Sequence, residues 1–230
     1  PMYAHLAGGN WEIQVVTSWP AEYGTQTMSL AVGRNGSAGI MLYNPSHEEL
    51  IYARLTGGMW EGETIDRGGI AGFSSSLALD PAGRPAIAYY RQSDSAVWYA
   101  KRNGATWEVE TLNGIGSWRW YDLSLAVDAD GQPHILYFNP QLWWLDYVRW
   151  DGTGWTSHLI DNAEGFGMYT TLALDADGHP HMVYQKTYAP GLWHTLFYAN
   201  WTGSAWSHQI VGSADDVFGY QSLALDGTGN

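Results

Sequence analysis

The stretch YTTLALDADGHPHMVY, Tyr169 to Tyr184, reads as a strand, a tight turn and a second strand. Apolar residues alternate through LALD, Asp and Gly punctuate the middle, and β-branched and aromatic residues resume after the proline. Near-copies recur: SSLALDPAGRPAIAYY ends at Tyr90, LSLAVDADGQPHILYF ends at Phe138, and QSLALDGTGN begins at Gln221.

A second pattern has the same period. MYAHLAGGNW, IYARLTGGMW, WYAKRNGATW, DYVRWDGTGW and FYANWTGSAW each run from a Tyr to a Trp, and the closing tryptophans are Trp11, Trp60, Trp107, Trp155 and Trp206. Leu30, Leu77, Leu125, Leu172 and Leu223 mark the SLALD-like strand once per period. One period therefore holds four strands: A (SLALD), B (PAIAYY or PHILYF), C with the Tyr, and D opening at the Trp. Four strands in about 48 residues make a propeller blade, which must stack on its neighbours to bury its faces. The Tyr and Trp are expected to fill the wedge between blades. The expectation is an all-β chain, residues 1–230 as one domain: a five-bladed β-propeller of four-stranded antiparallel blades. Its closing blade is shared between the N-terminal MYAHL…WEIQVV and the C-terminal QSLALD. The pattern calls for a strand B after LDGTGN, so a longer parent with more blades stays open, as does a mature form or excerpt given the opening Pro1.

The 230 residues carry a formal charge of −13, which disfavours nucleic acid and anionic membrane as partners. With no Cys, thiolate metal sites, disulfides and cysteine catalysis are excluded. No apolar run is long enough to insert in a membrane.

These residues resemble a repeat of secreted bacterial propeller proteins, Y-T-S-L-A-L-D-x-x-G-x-P-H-I-x-Y, similar to the sialidase-like and lectin-like propellers. The resemblance implies a secreted, periplasmic or cell-surface location and, for many of its members, glycan binding. It carries no reaction, since one fold hosts many functions. The sialidase Asp-box is not matched, because Asp128-Ala129-Asp130-Gly131 leads into Gln132-Pro133 rather than Thr-Trp.

Possible sites are read against simpler structural roles. The DADG turns at Asp128–Gly131 and Asp175–Gly178 lack the further carboxylate of a calcium loop and read as capped turns. His134 and His181 share one repeat position and read as architecture rather than as zinc ligands. Asp80, Asp128, Asp175 and Asp226 belong to the repeat; Glu48, Glu49, Asp146, Asp161, Glu164, Asp215 and Asp216 lie outside it and match no catalytic motif. No cofactor, metal or catalytic residue is assigned, and glycoside hydrolysis is kept as a third reading. The A–B and C–D turns are short and regular, whereas the B–C and D–A loops vary and are aromatic. Trp118, Trp120, Trp143, Trp144, Tyr188 and Trp193 lie in or beside those loops and are the candidate ligand-binding residues. A sugar, a protein partner and simple packing would each use such residues. Arg119 and Lys186 are the cations nearby, so a neutral glycan is the first reading, ahead of an interaction scaffold in a larger extracellular or membrane-associated assembly.

Overall fold

The computed structural model of the chain describes residues 1–16, 28–33, 35–69, 71–114, 122–139, 142, 144–161, 166–188, 192–214 and 221–226. At 71–73, 113–114, 166–168, 187–188, 192–194 and 213–214 the description is of backbone alone. Five antiparallel sheets follow one another along the chain. The first has two strands, β1 (Met2–Ala7) and β2 (Asn10–Val15). The second has β3 (Met28–Val32), β4 (Ala38–Asn44), β5 (Glu49–Thr56) and β6 (Met59–Arg67). The third has β7 (Ala71–Leu79), β8 (Pro85–Arg91), β9 (Ala96–Asn103) and β10 (Thr106–Gly114). The fourth has β11 (Leu123–Val127), β12 (Pro133–Asn139), β13 (Trp144–Trp150) and β14 (Trp155–Asp161). The fifth has β15 (Phe166–Leu174), β16 (Pro180–Tyr188), β17 (Leu192–Trp201) and β18 (Trp206–Ala214). Each four-stranded sheet is a meander in chain order, and the described residues contain no helix.

The turn chemistry is that of the opening stretch. Asp80, Asp128 and Asp175 each accept two backbone N–H groups through Oδ1, from the second residue on at 2.9 Å and from the fourth at 2.8 Å. The glycine that ends each turn has φ near +80°, a region that costs an L side chain about 1 kcal/mol or more. His134 Nδ1 lies 2.5 Å from the Tyr147 hydroxyl with Asp128 Oδ2 3.4 Å from its other nitrogen, and His181 repeats this with Tyr198 and Asp175. The paired histidines are thus tied into architecture.

Two contacts join successive sheets. The hydroxyls of Ser29, Ser76 and Ser124 accept the N–H of Leu77, Leu125 and Leu172 in the next inner strand, at 3.0, 3.1 and 3.1 Å. At larger radius the strand-C tyrosine of one sheet meets the strand-D tryptophan of the next edge-on. Tyr3–Trp60, Tyr52–Trp107, Tyr99–Trp155 and Tyr147–Trp206 have centroids 5.1, 5.6, 5.3 and 5.4 Å apart at 71–77°. This is the favoured geometry of quadrupolar rings. The buried clusters follow these seams, as where Leu125 packs on Ala88, Val97 and Tyr99 of the preceding sheet.

One expectation meets a different arrangement. Gln221–Asp226, the expected inner strand of the closing blade, is not strand-assigned, and no ladder joins it to β1 among the described residues. The physical reason is geometric: β1 and β2 are strands C and D, and an inner A strand reaches C only across an intervening B.

Candidate functional site

The structure places the anticipated binding residues unevenly. Trp118, Trp120 and Trp143 lie outside the described residues, and Tyr188 and Trp193 are described in backbone only, at the facing ends of β16 and β17. Trp144 opens β13, half-buried and opposite Asn139. Asn139 hydrogen-bonds Asp146, whose carboxyl is pushed up by burial and pulled back by that bond.

On this B–C and D–A side two seams carry one arrangement, which the motif reading missed. Between the second and third sheets, Asp66 Oδ2 accepts the Tyr89 hydroxyl at 2.9 Å and Arg91 Nη1 at 3.3 Å. Arg91 also bonds Asp94 at 2.5 Å and lies 3.6 Å over the Trp98 ring. Between the fourth and fifth, Asp161 accepts the Tyr184 hydroxyl at 2.8 Å and pairs with Lys186, whose ammonium lies 4.9 Å from the Phe197 ring centre. The signal was present: Asp66 and Asp161 both stand six residues past the strand-D tryptophan, and Arg91 and Lys186 two past the strand-B tyrosine. Both cations are neutralised by carboxylates, so neither offers a free charge to an anion.

Asp122, entering β11, accepts the N–H of Thr170 at 2.8 Å. Burial pushes its carboxyl up to about 6, against the pull of the backbone N–H groups of Thr170, Leu123 and Tyr169. Tyr169 itself has φ +57°, within the bulge of β15.

The opposite side, read in sequence as short regular turns, holds a better-formed recess. A cavity of about 300 Å³ lies between the third and fourth sheets, lined by Tyr99, Lys101, Glu108, Glu110, Gln132, Trp150 and Trp155, among others. Trp150 and Trp155 meet edge-on at 5.7 Å. Lys101 is paired to Glu108 at 3.3 Å, and Glu108 also accepts Asn103 Nδ2 at 2.5 Å. The Glu110 carboxylate, exposed at the rim, has no hydrogen-bond partner among the described residues. An aromatic wall facing carboxylate and amide oxygens suits a flat, polyhydroxylated ligand: C–H faces meet the ring and hydroxyls donate to the acceptors. At the next seam Trp201 and Trp206 take the same places, 5.4 Å apart, beside His158. Trp150 and Trp201 stand three residues past the strand-C tyrosine, where earlier repeats have Leu6, Leu55 and Arg102.

At the axis a cavity of about 550 Å³ is ringed by the turn residues Asp80, Asp128, Asp130, Asp175 and Asp177. Oxygens of Asp175 and Asp177 and a nitrogen of His179 fall within 4.8 Å of one another. Three donors fall short of the six to eight oxygens of a calcium site, and Asp175 already caps its turn.

No family model and no curated protein matches the chain. Solved structures do. The Aleuria aurantia lectin AAL, in complex with Fucα1-6GlcNAc, aligns at 12% identity and TM-score 0.59 over 83% of this chain and 66% of its own. A puromycin hydrolase aligns at 13% identity and TM-score 0.57, over 84% of this chain and 33% of its own. An endo-1,4-beta-xylanase from Bacteroides thetaiotaomicron aligns at 13% and 0.51, over 83% and 76%. At such identities the likeness is one of fold. The chain is an all-β protein of β-propeller architecture, and its sheets are blades. A lectin and hydrolases share that architecture, so the fold alone selects no chemistry.

Proposed function

We propose that this protein is a non-catalytic binding propeller of lectin type that takes neutral glycans in recesses between its blades. The observation that carries this reading is the groove between the third and fourth blades, where Trp150 and Trp155 face Glu108, Glu110 and Gln132. The trait repeats in part at the next seam with Trp201 and Trp206, so recognition is multivalent. A neutral ligand follows from the charges: Arg91, Lys101 and Lys186 are each paired with a carboxylate, and the chain carries −13 overall. Trp118, Trp120, Trp143, Trp144, Tyr188 and Trp193 supply a second surface on the B–C and D–A side. We read the chain as a single five-bladed domain working outside the cytoplasm, at the cell surface, in the periplasm or secreted; no helix among the described residues is long and apolar enough to cross a membrane.

A scaffold role in a larger assembly is the second reading, favoured by the exposed apolar flank of β2 and β3. A glycan array probed with the intact chain and with Trp150→Ala separates the two. Neutral-glycan binding weakened about tenfold by Trp150→Ala, roughly 1.4 kcal/mol, is the expected result. A blank array overturns the lectin reading. Hits that Trp150→Ala leaves intact but Trp144→Ala removes move the site to the other face.

A further inference from the structure

The flank of the first two blades is apolar and uncovered. Leu30 of β3 is 54% exposed, whereas Leu77, Leu125 and Leu172, its counterparts in the next three blades, are 5, 6 and 7% exposed. Met28 and Val32 of β3, and Trp11, Ile13 and Val15 of β2, are exposed with it. The internal leucines are covered because each inner strand lies against the preceding blade; Leu77, for example, packs with Met41, Leu50 and Tyr52.

The far end of the molecule holds the matching half. Gln221–Asp226 repeats the inner-strand sequence, and Gln221 Nε2 donates to Gln185 Oε1 of β16 at 3.2 Å. Ser222 takes the repeat position of Ser29, Ser76 and Ser124, whose hydroxyls each hold the leucine N–H of the next blade. Ser222 is exposed and holds no such N–H among the described residues. Similarly, Trp11 is 70% exposed where Trp60, Trp107, Trp155 and Trp206 each meet a tyrosine of the preceding blade.

We infer that these are two halves of one further seam and that the chain closes on itself through them. Residues 221–226 dock on the β3 flank, Ser222 Oγ accepts the Leu30 N–H, and Tyr198 meets Trp11 edge-on. The inner-strand contacts already run β3 to β7 to β11 to β15, and residues 221–226 extend that series by one. The occupant is the same chain because each chain holds one copy of each half. Pairing between copies would leave a half unfilled at both ends of every pair, an open-ended assembly. This closure is independent of the glycan reading and stands or falls without any ligand.

The absence of native cysteine allows a direct test on the 230-residue chain. Leu30→Cys with Ser222→Cys is oxidised beside an internal control, Ser29→Cys with Leu77→Cys. Closure predicts that both variants lose their free thiols as monomers. Disulfide-linked dimers through residues 30 and 222, or free thiols there while the control is oxidised, would refute it. Thermal melting supplies a second measure, needed if the control pair misfolds. Leu30→Asp is expected to lower the melting temperature about as much as Leu77→Asp, by roughly 10 °C. An unchanged melting temperature for Leu30→Asp means that the flank stays uncovered and the inference is wrong.

Discussion

Asp122 illustrates how a single carboxyl in the frame sets a pH response. Its folded pKa is raised from 3.8 to about 6, chiefly by burial, so the folded state holds the proton more tightly than the unfolded one. The stability it contributes is therefore complete below about pH 4 and is lost as pH rises through about 6. At 1.36 kcal/mol per pKa unit the loss is on the order of 2 kcal/mol, discounted for partial exposure. His134 acts in the opposite sense: burial pushes its pKa down, so stability falls as the solution is acidified. The difference between wild type and Asp122→Asn isolates the first effect. Urea midpoints measured from pH 4 to pH 7 should show the two chains converging at the acid end and the wild type losing ground above it. Parallel curves would assign the carboxyl an ordinary pKa.

Between residues and the whole lies the inter-blade staple of a serine hydroxyl and a leucine N–H. Removing one hydroxyl by Ser76→Ala leaves the Leu125 N–H without its acceptor, and about 1 kcal/mol of destabilisation is expected. Equilibrium denaturation of Ser76→Ala measures it; a change under about 0.3 kcal/mol would mean that water replaces the hydroxyl. The staple also shows what a sequence can and cannot say. The four-strand period, the Asp-capped turns and the shared position of His134 and His181 are local patterns of side-chain type, and they can be read directly. Ser29, Ser76 and Ser124 look like strand filler, because their partners lie 48 or 49 residues away and depend on how blades stack. The groove at Trp150 was hidden for the same reason: its walls come from two blades, and regular turns gave no hint of a recess. The Asp66–Arg91 and Asp161–Lys186 pairs were legible only by aligning repeats position by position, which distinguishes them from unattached acids.

For the molecule as a whole, stability is a near sum of blades and seams, as in other repeat proteins. Charge enters at this scale as well. With a net −13 the compact state repels itself, and screening should raise its melting temperature between about 10 and 150 mM salt, where the screening length contracts from about 30 to about 8 Å. A scan of melting temperature against sodium chloride checks this, and a falling curve would mean that the surface ion pairs outweigh the self-repulsion. The edge-on Tyr–Trp pairs have an optical consequence. Each seam brings a tyrosine within about 5.6 Å of an indole in the neighbouring blade, close enough for absorbed light to pass from phenol to indole before it is emitted. Tyrosine emission should therefore be quenched while blades are stacked and return as seams part, so that the protein's own fluorescence records its opening blade by blade.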